Sequence, residues 1–405
     1  MLNWSKQFSI CSLFDTQQYQ HSYQSIDCIM AVGVLDSLVL NTVDYKALKA
    51  FILQKKRWLF GHISFEFQDL ISLTSNQKDS IGFPLLHLYE PAITIHIIDD
   101  TVEITSSNKD PEIIFSEINN TKKIYQPNSA KVPVPTTSKE AYLSIIKALK
   151  NHIQKGDCYE INFCQEFHCT ADYLSPYHTY LKLAEVSPTP FSCFYKMEDK
   201  YLLCASPERF LKKSGNKLIA QPIKGTIARD LKDSDKDNQL KQALYLSEKD
   251  RSENVMIVDL MRNDLSKIAK EGTVVVKELY GIYTFPQVHQ MISTIEGEIE
   301  DGLDFSDVLK ATFPMGSMTG APKKRVLELI AEYEPVKRGL YSGSVGYITP
   351  DGDFDFNVVI RSILYNANSK EISYQVGGGI TFYSNPEKEY EECLVKAIGM
   401  LKALA

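Results

Sequence analysis

A chain of 405 residues with 44% hydrophobic composition is long enough to bury one large core or two. Its formal charge of −7 excludes a general nucleic-acid binder and predicts little attraction to an anionic membrane. Eight cysteines follow no small-scaffold spacing, the N-terminus opens no signal-peptide core, and no apolar run reaches membrane length. The expectation is a cytoplasmic protein of a reducing compartment.

Residues 1–130 read as a strand-rich region. Ala92 to Ile98 is β-branched, and Thr101 to Thr105 alternates after the Asp99-Asp100 turn, which predicts a hairpin. Tyr45 to Lys55 carries Leu48, Phe51 and Ile52 at helical spacing behind Asp44 as N-cap. Gly61 to Phe67 reads as a strand. His62, His87 and His96 stand without a second ligand at metal-like spacing, so each is read as ordinary packing.

Lys131 to Thr137, with two prolines, is a connector into a second region, 131–405. There Thr137 and Glu140 form a capping box for a helix that carries Tyr142, Ile145, Ile146, Leu149 and Ile153 and ends at Gly156. Cys158 to Phe167 alternates as a strand with Glu160, Asn162 and Cys164 on one face and Ile161 and Phe163 on the other. Cys158, Cys164, His168 and Cys169 match no zinc spacing. Residues 191–226 read as short antiparallel strands, and 230–252 as a charged, solvated loop and helix. Glu253 to Leu265 and Lys323 to Glu332 read as helices. Gly316 to Lys323 lacks the Gly-Lys-Ser/Thr ending of a phosphate loop. Asp351-Gly352 is a hairpin turn between strands Ser344 to Ile348 and Phe354 to Ile363.

Two stretches carry chemistry. In Gln221-Pro222-Ile223-Lys224-Gly225-Thr226 a lysine sits between a proline and a glycine, and it reads either as a salt-bridged residue or as a desolvated nucleophile. Near the C-terminus, Gly377-Gly378-Gly379 offers backbone N–H groups to an anion. It is followed by a helix with Glu389, Glu392 and Lys396 at i, i+3 and i+7. Carboxylates so spaced suit Mg²⁺, although a charged surface helix has the same pattern.

Taken in order, Gly156-Asp157-Cys158-Tyr159, Ala205 to Phe210, Pro222 to Thr226, Ser247 to Asp264, Thr319 to Lys323, Gly343 to Tyr347 and Glu387 to Lys396 resemble the chorismate-utilising enzymes. This is the family of anthranilate synthase component I and aminodeoxychorismate synthase component I. The resemblance spans about residues 140–400 and is weak over 1–130. It implies an α/β fold: a two-layer sandwich of antiparallel sheets with outer helices, with the N-terminal region integrated into it. It also implies that Glu253 and Glu392 ligate Mg²⁺, with Asp250 and Glu389 in support. Substrate binding falls to Thr226, Tyr347, Arg361, Lys396 and the amides of Gly377, Gly378 and Gly379. Glu208 matches the general acid and His289 the histidine beside the ring.

Lys224 points within the family to the aminodeoxychorismate branch, which serves 4-aminobenzoate and folate synthesis. There a lysine attacks C2 of chorismate, and ammonia then enters at C4. Two features depart from the pattern: Ile227-Ala228-Arg229 follows Thr226 where Arg-Pro-Arg is usual, and Glu160 stands where glutamine is common. No Gly-x-Cys-x-Gly glutaminase motif occurs, so a separate glutamine amidotransferase is the expected ammonia source. The competing readings are anthranilate synthase, isochorismate synthase, and a chorismate-binding regulatory protein without activity.

Overall fold

The structure, a computed structural model, describes residues 1–405 except 18, 20–22, 24–25, 72–76, 100, 123–127 and 286–287. Among the described residues two large sheets form, and every pairing between their strands is antiparallel. The 11-stranded sheet runs in space through Gly320–Ala321, Glu160–Thr170, Glu371–Ile380, Ser362–Asn366, Lys200–Ser206, Phe191–Met197, Ile10–Asp15, Cys28–Val32, Ile93–Ile98 and Thr101–Ser106. Val134–Pro135, from the proline-bearing connector, adds to it beside His168 and Phe167. The 10-stranded sheet runs through Ile223–Ala228, Val288–Glu298, Lys217–Gln221, Arg209–Ser214, Phe354–Asn357, Ser344–Ile348, Leu59–Ile63, Leu86–Glu90 and Asp36–Leu40. Its remaining strand, Val275–Thr284, pairs with Val288–Glu298.

The N-terminal strands therefore enter both sheets. Side-chain alternation explains how the larger sheet is buried on two faces. Along Phe191–Met197, Cys193 and Tyr195 join the core shared with the second sheet, while Phe194 packs on Tyr177 and Tyr180 of the outer helix Pro176–Val186. No helix among the described residues is long and apolar enough to cross a membrane.

Several local expectations shift by a residue or by a layer. The helix Lys139–Lys155 is capped by Ser138, which accepts from the Ala141 amide, so Thr137 is not the cap. It ends on Gly156 in the left-handed region, as glycine there allows. Residues 191–226 are not one sheet. Lys200–Ser206 belongs to the larger sheet and Arg209–Ser214 to the smaller, so Pro207 and Glu208 lie where the chain crosses between layers. Phe354 to Ile363 divides in the same way: Phe354–Asn357 is in one sheet, Ser362–Asn366 is in the other, and Arg361 at φ +50° forms the bend. The two crossings touch, because the Val358 amide donates to the Glu208 carbonyl and the Ala205 amide to the Arg361 carbonyl.

Between the layers the Tyr195 hydroxyl bonds His62 Nδ1 at 3.0 Å and His87 Nδ1 at 2.6 Å. Burial pushes both imidazoles down, His62 to about 3 and His87 to about 4. These rings are neutral in the folded protein and take up protons on unfolding below their ordinary range. Each therefore costs about 1.4 kcal/mol of stability per pH unit as pH falls below about 6.5. The buried carboxyls of Glu66, Glu208 and Glu253, pushed up to about 7, act in the opposite sense over the same range, so the histidine contribution is read as a difference between proteins. In urea unfolding from pH 7 to 4.5, the pH slope of stability of His87→Gln should differ from that of the wild type by about one proton, the variant gaining relative to the wild type as pH falls, and identical slopes would contradict the assignment.

Candidate active site

Lys224 lies on Ile223–Ala228, which pairs with Val288–Glu298 in the smaller sheet, and reaches across to the first residue of Glu160–Thr170 in the larger one. Its Nζ is 2.6 Å from Glu160 Oε1, and both side chains are largely shielded from water. Burial is the strongest influence on Lys224 and pulls its pKa down. The charges of Glu160, Glu253 and Glu208 outweigh it and hold the ammonium above its ordinary range. The lysine is salt-bridged, and it is buried among carboxylates rather than on the surface.

Glycine at position 379 leaves this pair its room. A Cβ there would lie 2.4 Å from Glu160 Oε1 and 3.0 Å from Lys224 Nζ. Gly225, at φ +91°, allows a second close approach: a Cβ would sit 3.0 Å from that of Asp250. The first turn of the helix Glu248–Ser266 thus rests on the backbone beside Lys224. Ser247 caps that helix by accepting from the Asp250 amide, and Asn254 fixes it to the sheet through Ser293 at 2.5 Å.

Glu208, at the crossing between sheets, is buried. Desolvation pushes its carboxyl up to about 7, against a hydrogen bond from Ser317 and the charges of Lys224 and Arg361. A carboxyl so placed is partly protonated near neutrality and can donate a proton. Arg361, at the other crossing, donates no side-chain hydrogen bond to any described residue. Burial depresses its pKa, and the Glu208 charge partly restores it. A guanidinium in that state can take a carboxylate ligand.

The backbone of the triple glycine runs antiparallel to Glu160–Thr170, with Gly377 opposite Cys164 and Gly379 opposite Asn162. The amides of Cys164 and Asn162 go elsewhere, to Glu334 Oε1 and the Thr319 carbonyl. Those are the non-hydrogen-bonded pairs of the ladder, so Gly377 and Gly379 turn their backbone groups to the open edge, while Gly378 pairs with Phe163. Lys396 donates to the Gly377 carbonyl on that edge at 2.8 Å.

Of the carboxylates that the resemblance gives to Mg²⁺, Glu253 has a buried Oε1 with no hydrogen-bond partner among the described residues. Its carboxyl is pushed up to about 7, first by burial and then by Glu160 and Asp250, against the pull of Lys224 and Lys249. A cation would relieve both conditions, so Glu253 fits the role. Glu392 is partly exposed and bonds Lys396 at 2.7 Å, which helps hold its carboxyl below the usual range against burial. Glu389 is buried, and desolvation raises it. No three acids among the described residues converge tightly enough to grip one ion alone. An Mg²⁺ here would draw on substrate oxygens and water, as Mg²⁺ commonly does.

Three expected residues stand apart. Tyr347 packs against Phe14, Trp58 and Phe60 and lines a cavity with Arg209 and Asp355. The structure therefore does not bring it to Lys224, because its strand Ser344–Ile348 lies well inside the smaller sheet. His289 bonds Asp237 Oδ1 and Thr284 Oγ1, each at 3.0 Å. The Arg229 guanidinium is the main reason the Asp237 carboxyl is held down at about 2. Thr226 is exposed and accepts from Gln290 at 3.4 Å.

Sequence reasoning missed other residues. Ser317 donates to Glu208 from the very loop compared with a phosphate loop, and Lys323 of that segment is tied to Asp264 and the Thr312 carbonyl. Tyr341 accepts from Cys164 Sγ, the atom a Cβ on Gly377 would strike. Arg338 is buried and joins Glu334, the Met318 carbonyl and the Asn162 carbonyl, fixing loop and strand together.

A two-sheet α/β scaffold with a lysine, a protonatable glutamate and an acidic rim meeting between the layers is an enzyme-like site. The sequence profile of the family described as chorismate binding enzyme matches residues 9–402, and the chain belongs to that family. The match takes in the N-terminal region, where the motif resemblance is weak. Aminodeoxychorismate synthase component 1 of Escherichia coli K12 is 40% identical over 267 residues, covering 66% of this chain and 58% of that protein. The Bacillus subtilis 168 protein of the same name is 36% identical over 284 residues, 70% of this chain and 60% of that one. The matched region thus spans under two thirds of the length of these relatives. Anthranilate synthase component 1 of Thermus thermophilus is 31% identical over 85% of this chain and 77% of its own. Anthranilate synthase component I of Streptococcus pneumoniae TIGR4 shares the fold with a TM-score of 0.80 at 21% identity, over 95% of both chains. The menaquinone-specific isochorismate synthase of Escherichia coli also gives 0.80, at 16% identity over 100% of this chain and 91% of that one.

Gly379→Ala is expected to lower stability by about 1–3 kcal/mol in urea unfolding, since its methyl group must displace the Glu160–Lys224 pair. A variant as stable as the parent would contradict the close packing.

Proposed function

We propose that this protein aminates chorismate with ammonia, giving 4-amino-4-deoxychorismate for 4-aminobenzoate and folate synthesis. A separate glutamine amidotransferase supplies the ammonia. The observation that carries the reading is Lys224, buried at the meeting of Glu160, Glu208 and Glu253. Relatives named aminodeoxychorismate synthase component 1 support it.

The chemistry follows from placing an amine and an acid around one ring. Nζ of Lys224 attacks C2, the ring double bonds shift, and the C4 hydroxyl leaves as water with the proton of Glu208. Ammonia then attacks C4 and expels the lysine from C2. Two displacements explain why nitrogen enters with the geometry of the departed hydroxyl. Arg361, Lys396 and the edge amides of Gly377 and Gly379 hold the two substrate carboxylates. Mg²⁺ held by Glu253 and Glu392, with Glu389 nearby and Asp250 behind Gly225, would neutralise the ring carboxylate, so that an acidic protein can accept a dianion. In this placement Tyr347 does not touch substrate.

Lys224→Ala is expected to cut aminodeoxychorismate formation from chorismate, Mg²⁺ and ammonium by about three orders of magnitude, roughly 4 kcal/mol of barrier. Chorismate binding measured by calorimetry should survive. Unchanged turnover would sink the covalent route, and anthranilate or isochorismate as the wild-type product would sink the amination reading.

A further inference from the structure

We propose that Glu160 is the base that strips the proton from Lys224 and so delivers the free amine to the substrate. This rests on the reading that Lys224 attacks the ring. In this chain the lysine has to give up a proton before it can attack, because every carboxylate facing it favours the ammonium. Those carboxylates are Glu160 from the larger sheet, Glu253 from the helix Glu248–Ser266, Glu208 at the crossing and Glu392 from the C-terminal helix. Among the described residues Glu160 alone is hydrogen-bonded to Nζ, at 2.6 Å.

The bonding of Glu160 is unlike that of a structural ion pair. Glu334 provides the contrast within the same molecule: its oxygens accept from Arg338 Nε, Arg338 Nη2 and the Cys164 amide. Such a carboxylate is fully committed. Glu160 is 1% exposed, yet its Oε2 has no partner, and Lys224 is its single side-chain donor among the described residues. A buried carboxylate with one donor is poorly compensated, and moving the proton from Nζ to Oε1 removes two buried charges at once. Gly379 leaves room for the two groups at hydrogen-bond distance and little beyond it.

The proton count closes. Lys224 gives a proton to Glu160, and its lone pair bonds C2. Glu208 gives a proton to the departing hydroxyl. Ammonia bonds C4 while the C2–Nζ bond breaks, returning a neutral lysine that takes its proton back from Glu160. The new ammonium on C4 gives one proton to Glu208, and the net change is ammonia in and water out. Glu160 touches a reacting atom throughout, so it is a catalytic residue in this scheme.

The test is Glu160→Gln in the full chain with chorismate, Mg²⁺ and ammonium. Lys224 labelling by an amine-selective reagent is read in parallel by peptide mass spectrometry. The amide keeps shape and hydrogen bonding but is a far weaker base. The expected result is a fall in kcat of about 10²–10⁴, with little change in KM for chorismate. Lys224 labelling near neutral pH should rise, because the adjacent negative charge is gone. Glu160→Asp should recover part of the rate. Wild-type kcat and pH profile in Glu160→Gln would overturn the proposal. A parallel fall of turnover and labelling would also overturn it, marking Glu160 as a prop for the lysine. If the wild type makes no aminodeoxychorismate, the amination reading itself fails and this step fails with it.

Discussion

Between the two sheets an ammonium and a carboxylate face one another at 2.6 Å, and the local architecture is arranged around that contact. The strand that brings Glu160 belongs to one layer and the strand that brings Lys224 to the other, so the pair exists only when the sandwich is closed. A side chain at position 379 would crowd their contact, and the neighbouring helix packs closely on the lysine strand at Gly225. The surrounding acids hold the proton on the lysine more firmly than burial alone would allow. A nucleophile in this setting needs a partner able to remove that proton.

The frame that holds the pair is polar as well as apolar. Arg338 binds Glu334, the Met318 carbonyl and the Asn162 carbonyl, so the loop that presents Ser317 to Glu208 is tied to the strand that carries Glu160. The two adjacent crossings between sheets bring Glu208 and Arg361 side by side, linked through backbone hydrogen bonds. An acid and a cation from distant parts of the chain thus meet beside the lysine.

Much of this was legible in the sequence where the signal is local. Gly156 as a helix stop, Asp351-Gly352 as a turn and the alternation that puts Glu160 and Asn162 on one face all follow from residue type and spacing. Adjacent Thr137 and Ser138 are both competent caps, and only tertiary context chooses Ser138. Alternation fixes a face but not a partner strand, so the division of 191–226 and 354–363 between layers was not visible. Tyr341 and Tyr347 lie six residues apart in one glycine-rich stretch. The turn at Ser342, with φ +58°, separates them, and the nearer to Cys164 is Tyr341. The partner of Lys224 was hidden for the same reason: Glu160 is 64 residues away and in the other sheet.

The most direct measurement of the central claim is intact-protein mass spectrometry after the enzyme is mixed with chorismate and Mg²⁺ in the absence of ammonia. The covalent route predicts an adduct with the mass of chorismate less one water, carried by the peptide that contains Lys224 and discharged when ammonium is added. Efficient amination with no adduct at any time point, or an adduct on another residue, would contradict it.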